Sequence, residues 1–139
     1  MPLALAAFLG GVLGTGLRLA TDLVFPHADA GFPAGTLGVN VLGALMLGWL
    51  VGGLWTRPGI PRWLKVALGP GLLGSFTTFS AVTVSLVEQS SAGLWGLAGL
   101  YLLATLALGF GAAAFGLWAG SRLAHRPIPV EIPDDGSTL

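Results

Sequence analysis

GPGLLGSFTTFS, residues 69–80, interrupts an otherwise apolar stretch that runs from Leu64 to Val87. Its three glycines and one proline weaken a helix, because proline removes a backbone hydrogen bond and glycine disfavours the helical state. In hydrocarbon, freed backbone groups are tolerated only where they are buried in protein or line a hydrated cavity. The stretch therefore predicts a membrane helix that is broken at mid-depth around an ion or substrate site.

An alternative explains the hydroxyl groups of this stretch without any site. Serine and threonine in membrane helices often bond back to carbonyls of their own helix. Under this alternative Thr77, Thr78 and Ser80 are satisfied locally and the segment holds no ion.

The composition of the chain indicates an integral membrane protein. Of its 139 residues 54% are hydrophobic and only 9% are charged, and the mean hydropathy is +0.84. The formal net charge is zero, and no basic patch is interleaved with aromatic residues, so nucleic acid is not expected as a partner. Without cysteine there is no disulfide framework, and since His27 and His125 fall outside the predicted spans, metal or histidine catalysis is not expected.

Four stretches approach the roughly 20 residues that a helix needs to cross a bilayer. They lie at residues 3–24, 36–55, 64–87 and 94–120, joined by short connections rich in proline and glycine. The first stretch lacks a basic n-region and a clear cleavage site, which predicts a retained span rather than a signal peptide. Residues 121–139, with three prolines and Asp134-Asp135, are predicted to form a disordered tail.

Glycines recur at four-residue spacing in three of these spans. The pairs are Gly10 and Gly14, Gly48 and Gly52, and Gly116 and Gly120. Small residues at this spacing predict close helix contacts. Four spans form only a thin bundle, and the glycine-lined helix faces are more numerous than one such bundle can use. This predicts an oligomer.

Two polar residues within the first two spans each have two interpretations. Arg18 shares a face with Gly10 and Gly14; it either snorkels to the interface and pairs with Asp22, or faces a water-filled vestibule and attracts anions. Asn40 either joins helices or turns its amide hydrogens toward an anion path.

The fourth span has Tyr101 and Thr105 as its main polar residues, one turn apart. A tyrosine near a span end predicts an anchor at the membrane interface.

Three motifs taken together resemble the Fluc (CrcB) fluoride channel family. They are GGxxGxxxR at residues 10–18, GTLxVNxxG at 35–43 and GxxTTFS at 74–80, and the resemblance extends over nearly the whole chain up to the tail. It implies an all-α channel, not an enzyme, that exports fluoride passively across a prokaryotic cell membrane. It also implies an antiparallel dimer of four-helix subunits embedded in lipid.

The resemblance also assigns roles to individual residues. It implies a structural sodium ion where the two broken third helices cross, held by backbone carbonyls at the positions of Gly74 and Thr77. It places Asn40 and Phe79 along the fluoride path, and associates Ser80 and Arg18 with the pore and its vestibule. The chemistry is compatible, because fluoride needs donors such as the Asn40 amide and the hydroxyls of Thr78 and Ser80, and a phenylalanine edge is partly positive.

The chain departs from the family pattern after this motif. Val82 stands where the family usually has a second phenylalanine, and Ser85 stands where glutamate is often found, with Glu88 one turn later. One ring of the expected aromatic pair is therefore missing, which predicts an impaired pore in this subunit unless Phe76 substitutes for the ring.

The basic residues near span ends predict one preferred orientation. Those on the side of the termini are Arg57, Arg62, Lys65, Arg122 and Arg126, whereas the other side has only Arg18. The positive-inside rule predicts cytoplasmic termini. Together with Val82, this bias suggests that the chain pairs with an inverted, non-identical relative rather than only with itself.

Two other classes of protein were considered. A small drug or cation exporter needs a carboxylate within a span, but Asp22 and Glu88 lie at span ends. A non-conducting assembly subunit would explain the glycines, but would leave Asn40 and the TTFS segment without a role.

Overall fold

The computed structural model describes residues 1–26 and 31–124, and in these every regular element is a helix. Four segments are long and apolar enough to cross a membrane: Leu3–Val24, Ala34–Leu54, Arg62–Ser91 and Trp95–Ala124. The prediction of an all-helical membrane protein with four spans is thereby confirmed. We name the helices α1 (Leu3–Val24), α2 (Ala34–Leu54), α3 (residues 62–76), α4 (Phe79–Ser91) and α5 (Trp95–Ala124).

The helices extend somewhat beyond the predicted spans. The second begins at Ala34 rather than at residue 36, and the fourth continues to Ala124, so residues 121–124 are helical rather than part of a tail. The rest of the predicted tail, with His125, Arg126 and Asp134-Asp135, lies outside the described residues, as does His27.

Two stretches of these helices are wound with the wider π geometry. They are Leu50–Leu54 at the end of α2 and Ala67–Leu73 within α3, which contains Pro70. Proline cannot donate a backbone hydrogen bond, so regular α-helical bonding is interrupted at Pro70. π-helical turns are rare and occur frequently at functional sites.

Glycine contacts hold the helices together in two pairs. Gly10 of α1 lies against the Ala67 carbonyl and Gly14 lies against the Leu72 carbonyl, with no room for a Cβ atom at either glycine. Similarly, Gly48 of α2 meets the Ala113 carbonyl of α5. In the same pair Gly52 meets Leu117, and Gly116 and Gly120 meet the α2 backbone at Leu45 and Trp49. The predicted close helix contacts are therefore confirmed.

The order of these contacts fixes the direction of the helices. At successive contacts between α1 and α3 the residue numbers rise in both helices, and the same holds for α2 and α5. The two helices of each pair therefore run parallel. A short connection joins α2 to α3, and Lys65 Nζ donates to the Trp55 carbonyl at 2.8 Å, so the ends of α2 and α5 lie at the same end of the bundle as the starts of α1 and α3. This end carries four of the basic residues, Arg57, Arg62, Lys65 and Arg122. Arg18, Asp22 and Glu88 lie toward the opposite end.

We expect Gly116→Ala to destabilise the subunit by about 1–3 kcal/mol, because the new methyl group would overlap the Leu45 carbonyl. Gly109→Ala on the same helix is the matched control, since a Cβ atom there meets nothing within 4 Å. Both variants are compared with the parent by unfolding in mixed micelles of increasing SDS fraction. Equal stability of the two variants would contradict the packing described for α2 and α5.

Candidate functional site

The backbone between α3 and α4 is extended at two threonines. Thr77 has φ −82° and ψ 154°, and Thr78 has φ −149° and ψ 125°. Thr78 then caps the next helix, because its Oγ1 accepts a hydrogen bond of 3.2 Å from the Ala81 amide. The chain therefore exposes peptide groups here to partners outside its own helices.

The Asn40 side chain of α2 supplies those partners for Thr78. Its Nδ2 donates to the Thr78 carbonyl at 2.9 Å, and its Oδ1 accepts from the Thr78 amide at 2.8 Å. We call this pair of bonds the Asn40 clamp. The clamp joins helices, as one interpretation of Asn40 predicted, yet it occupies only one of the two Nδ2 hydrogens. The second hydrogen is left for another acceptor.

The clamp and the Thr78 cap each divert the amide that would bond to a backbone carbonyl in a continuous helix. In a continuous helix the Thr78 amide would bond to the Gly74 carbonyl, but here it donates to Asn40. The Ala81 amide, which would bond to the Thr77 carbonyl, donates instead to Thr78 Oγ1. Gly74 and Thr77 are the two positions where the sequence resemblance placed carbonyl ligands.

The hydroxyl groups of the segment divide into two kinds. Thr77 Oγ1 donates to the Leu73 carbonyl at 2.9 Å, four residues back, so the alternative of local satisfaction holds for this residue. Thr78 Oγ1 and Ser80 Oγ lie 3.0 Å apart and bond to each other, and Ser80 is exposed. The latter two hydroxyls therefore lie at the surface of the subunit as a polar pair.

A groove of about 490 Å³ runs past this segment. Asn40, Phe79 and three threonines, Thr77, Thr78 and Thr105, line it, together with apolar and glycine positions, among them Gly74 and Val82. The Phe79 side chain is 76% exposed, so almost none of its ring is packed within its own subunit. The ring therefore faces outward from its own subunit, toward lipid or a partner, at the edge of a groove that also carries polar groups.

Neither of the other two residues considered for an aromatic pair provides a second exposed ring. Val82 is 1% exposed, so its side chain is packed within the subunit although it borders the groove. Phe76 is 7% exposed and borders a different cavity, with Phe25 and Val39.

A second, more polar cleft of about 450 Å³ contains Arg18. Arg18 Nε donates to both carboxylate oxygens of Asp22 at 3.1 Å, and Nη2 donates to Thr36 Oγ1 at 3.2 Å. The predicted pairing of Arg18 with Asp22 is confirmed. Nη1 is buried and has no hydrogen-bond partner among the described residues. Ser80, Ser85 and Glu88 also line this cleft, so Ser80 lies between the two cavities.

Tyr101 is not the interface anchor that its position near a span end predicted. Its side chain is fully buried in the bundle, and Phe32 packs edge-on against it with ring centroids 5.6 Å apart. Tyr101 Oη and Thr105 Oγ1 are both buried without a hydrogen-bond partner in the part of the chain that the structure describes. The two hydroxyls lie one turn apart and near each other, and Thr105 borders the groove.

With this geometry established, known proteins provide a comparison. The family model described as CrcB-like protein, Camphor Resistance (CrcB), matches residues 5–117. The chain belongs to the CrcB family. The resemblance that the three sequence motifs indicated is confirmed.

Curated relatives of this CrcB chain carry the name of an ion channel. "Fluoride-specific ion channel FluC 2" of Geobacillus kaustophilus is 40% identical over 117 residues, covering 84% of this chain and 88% of the relative. "Fluoride-specific ion channel FluC 1" of Cutibacterium acnes is 41% identical over 107 residues, covering 73% of each chain. A protein of the same name from Leifsonia xyli is 37% identical over 136 residues, covering 97% of this chain and 96% of the relative.

One polar contact of this CrcB chain was not predicted from its sequence. Gln89 at the end of α4 is fully buried, and its Nε2 donates to the Gly31 carbonyl at 2.9 Å. This bond ties the connection between α1 and α2, which borders the Arg18 cleft, to α4. The sequence does contain one indication that Gln89 faces the bundle. It follows Val82 by seven residues and therefore lies on the same helix face as that apolar side chain.

Proposed function

We propose that this chain is a subunit of a fluoride-selective channel that lowers cytoplasmic fluoride by passive export. The observation that carries the proposal is the Asn40 clamp, which holds an extended segment beside the exposed ring of Phe79 in one groove. The names of the relatives, which describe a channel and not an enzyme, support the choice of ion. The two described carboxylates, Asp22 and Glu88, lie toward one end of the bundle, which is unlike a proton-coupled exporter.

The groove offers donors that fit a small, strongly hydrated anion. The second Nδ2 hydrogen of Asn40 and the Thr105 hydroxyl replace water as hydrogen-bond donors along the groove. The bonded pair of Thr78 and Ser80 beside them leaves one further hydroxyl hydrogen to donate. The partly positive edge of Phe79 adds attraction without the strength of a full charge. Because each donor is neutral, fluoride moves between weak sites and is able to leave.

We propose further that the extended segment lies at mid-membrane and that the carbonyls of Gly74 and Thr77 hold a structural sodium ion. Both carbonyls have had their helical amide donors diverted to side chains, and hard oxygen ligands suit such a cation. When bound, sodium supplies a fixed positive charge that balances the carbonyl dipoles. Replacement of sodium by a large organic cation on both sides of a vesicle is expected to lower fluoride flux, and unchanged flux would contradict the assignment.

We propose an antiparallel dimer as the conducting unit. The polar groups of Asn40 and Thr78 along the open groove need cover from hydrocarbon, which a second subunit supplies, and the exposed Phe79 ring lies beside them. The partner is either an inverted copy or an inverted, non-identical relative that contributes the aromatic ring missing at Val82.

The orientation of the chain in the membrane distinguishes an inverted copy from a non-identical relative as the partner. We expect a reporter at the C-terminus to be found mainly in the cytoplasm, because Arg57, Arg62, Lys65 and Arg122 lie at that end of the bundle. Reporters that are active on only one side of the membrane, fused after Leu139, measure the ratio of the two orientations. Equal amounts on both faces would contradict the non-identical partner and support a homodimer.

The export role is tested in bacterial cells that lack their own fluoride exporter. Expression of this chain is expected to restore growth in millimolar fluoride and to lower the fluoride retained by the cells. The same cells in equimolar chloride control for general toxicity. Normal membrane expression without any gain in fluoride tolerance or release would contradict export by this chain alone.

A further inference from the structure

The charges that line the Arg18 cleft are the reverse of what the mouth of an anion path would be expected to carry. Among its described lining residues, Arg18 is positive and both Asp22 and Glu88 are negative. We propose that Asp22 is a positioning residue that orients Arg18 and limits how tightly the cleft binds fluoride. This inference rests on the proposed function, since it concerns the same ion at the outer part of the same path.

The hydrogen bonds of Arg18 show how Asp22 positions it. Both carboxylate oxygens of Asp22 accept a hydrogen bond from Arg18 Nε, and Thr36 Oγ1 accepts one from Nη2. Two sides of the guanidinium are therefore held in place. Nη1 is the nitrogen that has no partner among residues 1–26 and 31–124, in a side chain that is only 13% exposed. The geometry thus leaves Nη1 as the donor available to a small anion.

The contact with Asp22 also weakens the attraction that Arg18 exerts. The carboxylate bonds directly to the guanidinium, so an anion at Nη1 meets a nearly neutral pair instead of a free cation. Glu88 is exposed and forms no ion pair with Arg18, so solvent and salt screen its charge more strongly. The other polar groups that line the cleft, the hydroxyls of Thr36, Ser80 and Ser85, carry no charge.

Weak binding at this position is useful to a channel. Conduction requires a site that is favourable enough for an ion to bind and weak enough for it to leave. An unpaired arginine would hold fluoride longer and would also attract other anions. Asp22 therefore sets a compromise between the capture of fluoride and its release.

The test is Asp22→Asn in vesicles reconstituted with the full chain under conditions where the parent conducts. Asparagine keeps an oxygen acceptor for Arg18 Nε but removes the negative charge. We expect the fluoride concentration at half-maximal flux to fall about fivefold at low ionic strength, without a rise in maximal flux. This shift in half-saturation should be lost when an impermeant salt is raised from about 0.01 M to about 1 M, because the Debye length falls from about 30 Å to about 3 Å.

Three further variants distinguish positioning from a general effect of charge. Glu88→Gln removes the same charge without touching Arg18 and should shift half-saturation less than twofold. Arg18→Gln with Asp22→Asn should show no gain over Arg18→Gln alone. Asp22→Glu should restore the half-saturation of the parent. If Asp22→Asn does not fold, Asp22→Ser offers a neutral acceptor in its place.

The proposal is overturned by an unchanged half-saturation in Asp22→Asn, by an equal shift in Glu88→Gln, or by a gain that survives the loss of Arg18. A parent chain that conducts no fluoride, either alone or together with an inverted relative, would contradict the proposed function instead. The two failures are therefore distinguishable.

Discussion

Asn40→Asp is expected to reduce fluoride flux by about a thousandfold. A carboxylate keeps the acceptor for the Thr78 amide, but it places a second acceptor against the Thr78 carbonyl, where Nδ2 now donates at 2.9 Å. It also puts a negative charge on the path, and two like charges about 4 Å apart repel by about 4 kcal/mol at an effective dielectric constant of 20. The measurement is initial fluoride efflux from vesicles that contain equal amounts of folded protein.

Asn40→Ala separates the two causes of that loss. Alanine removes the clamp and the amide donor but adds no charge, so its flux should lie between that of the parent and that of Asn40→Asp. Leaving Thr78 with two unpaired backbone groups is expected to cost about 1–3 kcal/mol for each group that stays buried, which SDS unfolding detects. Parental flux in both variants would remove Asn40 from the path and from the support of the extended segment.

Phe79→Ile is expected to lower fluoride flux by at least about tenfold while leaving the fold of the subunit intact. Isoleucine keeps an apolar side chain but has no ring edge with partial positive charge to face the anion. The fold should tolerate the change because the Phe79 ring is 76% exposed within its own subunit. Flux and the elution volume of the detergent-solubilised oligomer are measured on the same preparation.

Phe110→Ile is the matched control for this variant. Phe110 lies on α5, is 73% exposed, and lines neither the groove nor the Arg18 cleft. The same substitution there should change neither flux nor elution volume. An equal loss of flux in both variants would point to a general effect of exposed aromatic rings rather than to a place for Phe79 along the ion path.

Much of the architecture follows from local sequence features. Four apolar stretches predict four spans, and glycines at four-residue spacing such as Gly48 and Gly52 predict where helices meet, because only the absence of Cβ allows the backbones so close. The pairing of Arg18 with Asp22 is also predictable from local sequence, because residues four apart on one helix are neighbours on its surface.

The parts that sequence reasoning missed depend on contacts between distant segments. Asn40 and Thr78 are 38 residues apart and Gln89 and Gly31 are 58 apart, so no helical periodicity indicates that they meet. Tyr101 was misjudged because the same amphipathic ring suits a membrane interface or a buried pocket. The Tyr101 ring is buried because Phe32, from a different segment of the chain, packs against it.

The most direct test of the account is fluoride efflux from liposomes that contain this purified chain alone, followed with a fluoride electrode and compared with a matched chloride gradient. A fluoride path in this subunit predicts rapid release of fluoride with no release of chloride, either from this chain alone or after an inverted relative is added. Release by the chain alone would identify an inverted copy as a sufficient partner for a subunit with Val82. No fluoride release from this chain, either alone or after reconstitution with an inverted relative, would contradict the assignment of a fluoride path to the groove beside Asn40 and Phe79.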